Sequence, residues 1–297
     1  MHDIFYIDRK TGETKKEKVY GHFFLKLLYG QGFFSSALLR VVAHFPLFSK
    51  WYGFMQRTAY SRRKVLAFIE EFGVDASEFL EPIDSFKSFD DFFIRRLKPE
   101  ARPLDSREEV LIAPADARYL VFPDIDVADG FWVKGKKFSV EELLQDAQLA
   151  KRYAKGAMAM ARLCPVDYHR FHFPCDALPS PARLINGPLY SVSPLALKKN
   201  ISYLSENKRM ITTLQTKEFG TFLFIEVGAT NVGSIHQTYT PNCPCVKGEE
   251  KGYFSFGGSC ILLLFEKNRI SFDADLIRAS KERVETLVLL GQSLGCR

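Results

Sequence analysis

The run Tyr253-Phe254-Ser255-Phe256-Gly257-Gly258-Ser259-Cys260-Ile261-Leu262-Leu263-Leu264-Phe265 sets a serine behind two glycines, between two strand-like apolar stretches. Glycine opens backbone conformations that other residues avoid. A serine hydroxyl held beside so pliant a carbonyl can attack it, and the bond at stake is Gly258–Ser259 of its own chain. The competing reading is a hairpin turn in which the glycines supply positive φ. Three other stretches carry reactive residue types. Ala113-Pro114-Ala115-Asp116-Ala117-Arg118 puts a carboxylate in a proline-shaped turn after a strand, where Asp116 alone reads as a turn cap. Cys164-Pro165-Val166-Asp167-Tyr168-His169-Arg170-Phe171-His172-Phe173-Pro174-Cys175 brackets two histidines with prolines. Val227-Gly228-Ala229-Thr230-Asn231-Val232-Gly233-Ser234-Ile235 is a small-residue loop after an apolar strand. Its amides at Gly228, Ala229, Thr230 and Gly233 could bind an oxyanion or phosphate, or the loop is a plain sheet connection.

Asp116, His172 and Ser259 together are the ingredients of a hydroxyl-activating relay. The Gly-x-Ser-x-Gly elbow of the α/β-hydrolases is missing, and so is the βαβ alternation of that fold. A hydrolase acting on other molecules is therefore a poor fit, and a serine acting on its own backbone remains open. Cys164, His169, His172 and Cys175 are zinc-type ligands, but their spacing matches no usual structural zinc pattern and the prolines stiffen the loop. No metal is expected. Cys243-Pro244-Cys245 is likewise too tight for the usual spacer, and its thiols read as structural.

The elements that must position these residues are β-rich. From Val110 onward the strand candidates are 110–113, 132–133, 157–163, 221–227, 234–238, 253–256 and 260–265. One helix, from Ser139 to about Lys151, interrupts them, with Ser139 and Glu142 spaced as a capping box. Short strands punctuated by Gly and Pro predict an α+β chain whose catalytic domain, 111–297, is built of stacked antiparallel sheets. Residues 1–18 read as a charged tail. Residues 19–75 read as helical: Ser36, Arg40 and His44 form a polar stripe on an otherwise apolar helix. A second pattern puts Phe48, Trp51, Tyr52, Met55, Ala59, Leu66 and Ile69 near one face, and Gly73 is its stop. Residues 76–110 read as a connector, with Ser88 beginning a short helix and Arg95 and Arg96 as phosphate-holding candidates or a solvated helix end.

At 297 residues, 46% hydrophobic and 26% charged, the chain has ordinary globular composition. Its net +6 is uneven: up to Ile69 there are twelve Lys and Arg against four Asp and Glu. A basic segment full of Phe, Leu and Tyr points to an anionic membrane surface rather than nucleic acid. The same helices could equally pack on a protein core. No signal-peptide pattern and no transmembrane run stand out, and six scattered cysteines fit a reducing compartment.

Taken with these readings, the sequence resembles the phosphatidylserine decarboxylases. The resemblance rests on Phe89-Asp90-Asp91-Phe92-Phe93 with Arg95, Arg102-Pro103-Leu104-Asp105 and Pro114-Ala115-Asp116. It continues in Val133-Lys134-Gly135, Phe138-Ser139, Leu143-Leu144, Asp167-Tyr168-His169-Arg170-Phe171-His172 and Leu189-Tyr190-Ser191-Val192. Val227-Gly228-Ala229-Thr230, Val232-Gly233-Ser234-Ile235 and the Gly-Gly-Ser turn complete it. Two positions depart from the family: Cys260 stands where Thr commonly follows the serine, and Ala117 where Gly commonly follows the aspartate.

The resemblance implies self-cleavage between Gly258 and Ser259 into chains 1–258 and 259–297, with Asp116, His172 and Ser259 as the processing relay. Ser259 then becomes a covalent pyruvoyl group, a cofactor made from the chain itself. It implies decarboxylation of phosphatidylserine to phosphatidylethanolamine through a Schiff base on that group, with His169 assisting decarboxylation or reprotonation. It implies peripheral attachment to the cytoplasmic face of an anionic cell membrane. A homodimer is compatible with it, and nucleic acid is not a partner. Two other classes compete: a silent lipid-binding module, which would stay uncut, and a pyruvoyl decarboxylase of a small soluble amino acid, which would be cut but ignore membranes.

Overall fold

The computed structural model describes residues 3–18, 46–128, 139–229, 234–257 and 259–297. In chain order its strands are β1 (Phe5–Asp8), β2 (Thr14–Lys16), β3 (Val110–Ile112), β4 (Ala117–Phe122), β5 (Ala157–Leu163) and β6 (Arg170–His172). They continue with β7 (Leu178–Pro179), β8 (Arg183–Ile185), β9 (Arg209–Gln215), β10 (Thr221–Gly228) and β11 (Ile235–Gln237). The last are β12 (Glu250–Phe254), β13 (Ser259–Phe265), β14 (Ser271–Phe272), β15 (Glu285–Val288) and β16 (Ser293–Cys296). The helices are α1 (Pro46–Arg57), α2 (Lys64–Phe72), α3 (Phe89–Phe93), α4 (Ile125–Ala128), α5 (Val140–Leu144), α6 (Ala147–Tyr153), α7 (Pro194–Lys199), α8 (Tyr203–Glu206) and α9 (Ala274–Lys281).

The main sheet runs β2-β1-β15-β4-β5-β13-β10-β9-β7, with β8 also paired to β9. Two smaller sheets, β11-β12-β6 and β14-β16-β3, accompany it. The expected antiparallel pairing holds throughout except between β1 and β15, which run parallel. Strands β5 and β13 are buried along their whole length. A strand covered on both faces has no solvent side to make polar, which is why Cys-Ile-Leu-Leu-Leu-Phe reads as a continuous apolar run rather than an alternation. On one face Leu262 and Leu264 join a core with Leu143, Leu144, Tyr153 and Leu204 from helices α5, α6 and α8. On the other, Ile261, Leu263 and Phe265 share a core with Phe171, Phe173 and Phe254 from the β6–β12 region. A third core is almost all phenylalanine: Phe68, Phe79, Phe86, Phe89, Phe92, Phe93 and Phe256, with Val65.

Several expectations are corrected. Residues 3–18 of the expected tail are not free: β1 and β2 extend the main sheet, and the Glu17 side chain is buried between Arg118 and Arg162. The charged sequence hid this because β2 is an outer strand, where lysines are at home. Residues 76–110 are more than a connector, since they supply most of the phenylalanine core. The helix expected from Ser139 is two. Ser139 caps α5 by accepting from the Glu142 amide at 3.1 Å, Gln145 turns left-handed at φ 46°, and Asp146 caps α6. Within 46–72 the chain is helical, and Gly73 ends α2 at φ 65° as expected. Leu66 and Ile69 do not share a face: Leu66 is exposed, while Val65 and Phe68 are the buried pair. The polar stripe at Ser36, Arg40 and His44, the strand expected at 132–133, and the side chains of Phe48 and Tyr52 lie outside the described residues. No described helix is long and apolar enough to cross a membrane.

Candidate active site

The Gly-Gly-Ser turn is not a hairpin. Strand β12 pairs with β11 and β6 in a small sheet, whereas β13 pairs with β5 and β10 in the middle of the main one. Residues 255–258 therefore carry the chain from one sheet to the next. Gly258 itself lies outside the described residues. The approach to it is anchored from α3: the Phe256 amide donates to Asp90 Oδ1 at 2.8 Å, and the Phe256 ring packs on Phe89 and Phe93 at 5.2 and 4.9 Å. Gly257 sits at φ 140°, a conformation that favours glycine. Ser259 opens β13, fully buried, opposite Gly228 and Leu163. Among the described residues its Oγ has no hydrogen-bond partner. A buried hydroxyl left unpaired costs stability, and such a group calls for an explanation.

Strand alternation separates the two adjacent nucleophiles. Cys260 points into the helix-covered core with Leu262 and Leu264, so Ser259 faces the other side, toward the layer that carries the histidines. Burial raises the Cys260 thiol pKa, which keeps it protonated.

His169 is fully buried. Its Nδ1 lies 2.9 Å from the Asp167 carbonyl, and its ring lies against Phe93 at 3.8 Å between centroids. Nδ1 must then carry the proton, leaving a lone pair on Nε2. Among the described residues Nε2 has no partner, although the Gly257 backbone is close enough to favour the charged ring slightly. Burial dominates and pushes the pKa down to about 3, helped by Arg95 and Arg118, so the ring is neutral at ordinary pH. The loop is locked by charge: Asp167 pairs with Arg118 and accepts the Cys164 amide at 2.7 Å. The Cys164 thiol in turn receives Arg162 Nη1.

His172 ends β6. Its Nδ1 lies 3.0 Å from the Gly248 carbonyl, and Tyr168 hydroxyl lies 3.4 Å from Nε2. Burial lowers its pKa, with the Gly248 carbonyl, Glu250 and Asp116 pulling the other way. Asp116 is held elsewhere. Arg102 clamps it, with Nε at 2.9 and 3.0 Å and Nη2 at 2.6 Å, and the Leu290 amide donates at 2.8 Å. Among the described residues no hydrogen bond joins Asp116, His172 and Ser259 to one another. Asp116 acts on His172 through its field, and the carbonyl that orients the ring is that of Gly248.

The loop expected to hold an oxyanion is only partly in view. The Gly228 amide donates to the Lys208 carbonyl at 2.9 Å, so it is not a free donor. Ala229 is buried in the helix-side core, and Thr230 and Gly233 lie outside the described residues. Sequence reasoning missed Arg102, Gly248, Asp90 and Tyr168 as neighbours of the site. Arg102, Asp90 and Tyr168 stood inside motifs already singled out, whereas Gly248 carried no signal. Its need is spatial: at φ 81°, a Cβ there would sit 2.1 Å from Leu104 Cδ1.

Known proteins resemble this chain over nearly its whole length. The phosphatidylserine decarboxylase family pattern matches residues 89–296. A phosphatidylserine decarboxylase proenzyme of Chlamydia pneumoniae is 48% identical over 290 residues, 98% of this chain and 96% of that one. The proenzyme of Chlamydia muridarum is 48% identical over 299 residues, 99% and 98% of the two chains. That of Fusobacterium nucleatum is 46% identical over 292 residues, 98% and 97%.

Proposed function

This chain belongs to the phosphatidylserine decarboxylase family, an enzyme family, and we propose that it is a proenzyme that cuts itself at Ser259 and then decarboxylates phosphatidylserine to phosphatidylethanolamine. The observation that carries the reading is the Ser259 hydroxyl, buried and unpartnered where the chain crosses between two sheets.

In processing, Ser259 Oγ gives up its proton and bonds to the Gly258 carbonyl carbon. The peptide C–N bond breaks and the Ser259 nitrogen takes a proton, leaving an ester. Elimination of the Gly258 carboxylate from Cβ, with loss of the Ser259 α-proton, frees chain 1–258 and leaves dehydroalanine. Water then replaces nitrogen, releasing ammonia and leaving a pyruvoyl group on chain 259–297. His172, with its lone pair on Nε2, is the base of this relay, worth roughly 10²–10⁴-fold. Asp116 favours the charged ring through space, and the Gly248 carbonyl fixes the ring's orientation. Because the Tyr168 hydroxyl faces Nε2, it must swing aside before Nε2 receives the Ser259 proton.

The pyruvoyl group supplies a carbonyl for the substrate amine and an electron sink. The chain's own residues do the rest. His169 is a neutral imidazole beside the Gly257 backbone, and its Nε2 lone pair can take up a proton and pass it to the substrate carbon. Phe93 and Phe256 exclude water from the same place. Toward the membrane, α1 and the following turn expose Trp51, Phe54 and Tyr60, and α2 exposes Leu66. Arg62 and Arg63 are exposed beside them, a pairing suited to anionic headgroups.

Intact-mass analysis tests the reading. Purified protein should contain chains 1–258 and 259–297, the second ending in a pyruvoyl group, and should release CO2 from phosphatidylserine vesicles. Ser259→Ala, His172→Ala and Asp116→Ala should stay uncut. His169→Ala should be cut but turn over poorly. A native preparation that is a single chain and releases no CO2 would sink the proposal.

A further inference from the structure

Arg95, just beyond α3, is 4% exposed, and neither its Nε nor its Nη1 has a hydrogen-bond partner among the described residues. Its neighbour Arg96 is exposed and bonded to Glu81 at 2.7 Å, so only Arg95 is turned inward. The guanidinium lies over the rings of Phe92 and Phe79 at 4.9 and 5.1 Å. Its one bonded nitrogen, Nη2, donates to the Val166 carbonyl at 3.1 Å and reaches the Asp167 carbonyl at 3.4 Å. The Asp167 carbonyl is also the partner of His169 Nδ1. Arg95 and His169 therefore hang from one oxygen. Arg95 is thus tied through that oxygen to His169, whose ring lies by the Gly257 backbone, and both keep unmet hydrogen-bonding capacity among the described residues. A buried guanidinium with two idle donors is costly unless something anionic comes to it.

We propose that Arg95 is the receptor for the substrate's phosphodiester, binding it through Nε and Nη1 while His169 faces the reacting carbon. The inference rests on the decarboxylase reading above. The headgroup offers two anions, and the chemistry selects between them. The carboxylate must lose its charge as CO2 leaves, so an ion pair to it would stabilise the ground state and oppose the reaction. The phosphodiester keeps its charge throughout and can be held without that penalty. Arginine's planar fork suits two phosphate oxygens better than lysine's point charge.

The test uses Arg95→Lys, scored first for self-cleavage by intact mass so that only processed enzyme is assayed. The substrate is dihexanoyl phosphatidylserine in solution, and dihexanoyl phosphatidylethanolamine, which has the phosphodiester but no carboxylate, is the inhibitor. KM should rise about tenfold with kcat within about threefold, and inhibition by the ethanolamine lipid should weaken by the same factor. A raised KM with unchanged inhibition would assign Arg95 to the carboxylate and overturn the proposal, as would no change in either. Should the variant not process, the unmodified enzyme decides. Inorganic phosphate should compete with the short-chain substrate where acetate at equal ionic strength does not, and absence of that competition would overturn the proposal. If unmodified, cleaved enzyme releases no CO2 from any phosphatidylserine, the functional reading fails instead.

Discussion

Ser259 and Cys260 are adjacent in sequence and on opposite faces of a sheet. In the proposed reading it is Ser259, not Cys260, that attacks Gly258, and this gives a residue-scale prediction. Cys260→Ala should be cut at the same bond as the parent, at a stability cost of about 1 kcal/mol for the lost sulfur in a packed core. Cleavage lost in Cys260→Ala but kept in Ser259→Ala would reverse the assignment. His169 gives a second. Its pKa is about 3 folded against 6.5 for a free ring. Between these values the unfolded chain binds the extra proton, so stability is greatest above pH 6.5 and is lost as pH falls toward 3. At roughly 1.4 kcal/mol per unit the full effect is on the order of 5 kcal/mol. Thermal melts at pH 7 and pH 5 should show a smaller drop for His169→Gln than for the parent. An equal drop would mean that another group drives the acid sensitivity. Asp116, His169, His172 and Ser259 could be singled out in the sequence because each stood in a dense, unusual string. Their hydrogen-bond partners were not: Gly248 meets His172 across 76 positions and Leu290 meets Asp116 across 174. No local pattern encodes such a meeting.

At the scale of elements, the central strands announced themselves and the outer ones did not. Strand β5 was read to the residue and β13 to within one because burial on both faces forces apolar residue types. Thr14-Lys15-Lys16 carries no such mark, yet β1 and β2 close one edge of the sheet. What fixes them is Glu17. Its carboxylate meets Arg162 at 2.7 Å and Arg118 at 3.5 Å, and these arginines also hold Glu285 and Asp167. The Glu17 pKa falls to about 2; burial opposes the shift, and the charges of Arg162 and Arg118 outweigh it. Removing one partner leaves buried charge uncompensated, so Glu17→Ala should destabilise the protein by about 3 kcal/mol. Chemical denaturation at pH 7 checks this, and a variant as stable as the parent would show the hairpin to be an ornament. Because Asp167 also carries His169, Glu17→Ala should lower turnover as well as stability. The α3 element is positional in the same way, since Asp90 and three of its phenylalanines brace Phe256 or its cluster.

For the whole molecule, the position of the cut matters more than its chemistry. Chain 259–297 would own β13, which lies between β5 and β10, and β15, which lies between β1 and β4. It also owns α9, whose Leu276 is buried in the core that holds Ile261 and Leu263. Cleavage at Ser259 would therefore sever one covalent link without freeing any face of the sheet. Every residue of β13 is buried, and removing that strand would expose apolar surface on both sides of the main sheet. The two chains should elute as one species in native size exclusion, at the size of the uncut Ser259→Ala form, and separate only in denaturant. After dilution from denaturant the cut protein should recover far less activity than it had, because folding of β13 began as an intramolecular event and would become a bimolecular one. Separation of the chains under native conditions would mean that the sheet reopens after processing, and that the assembled site is not the one built around the intact turn.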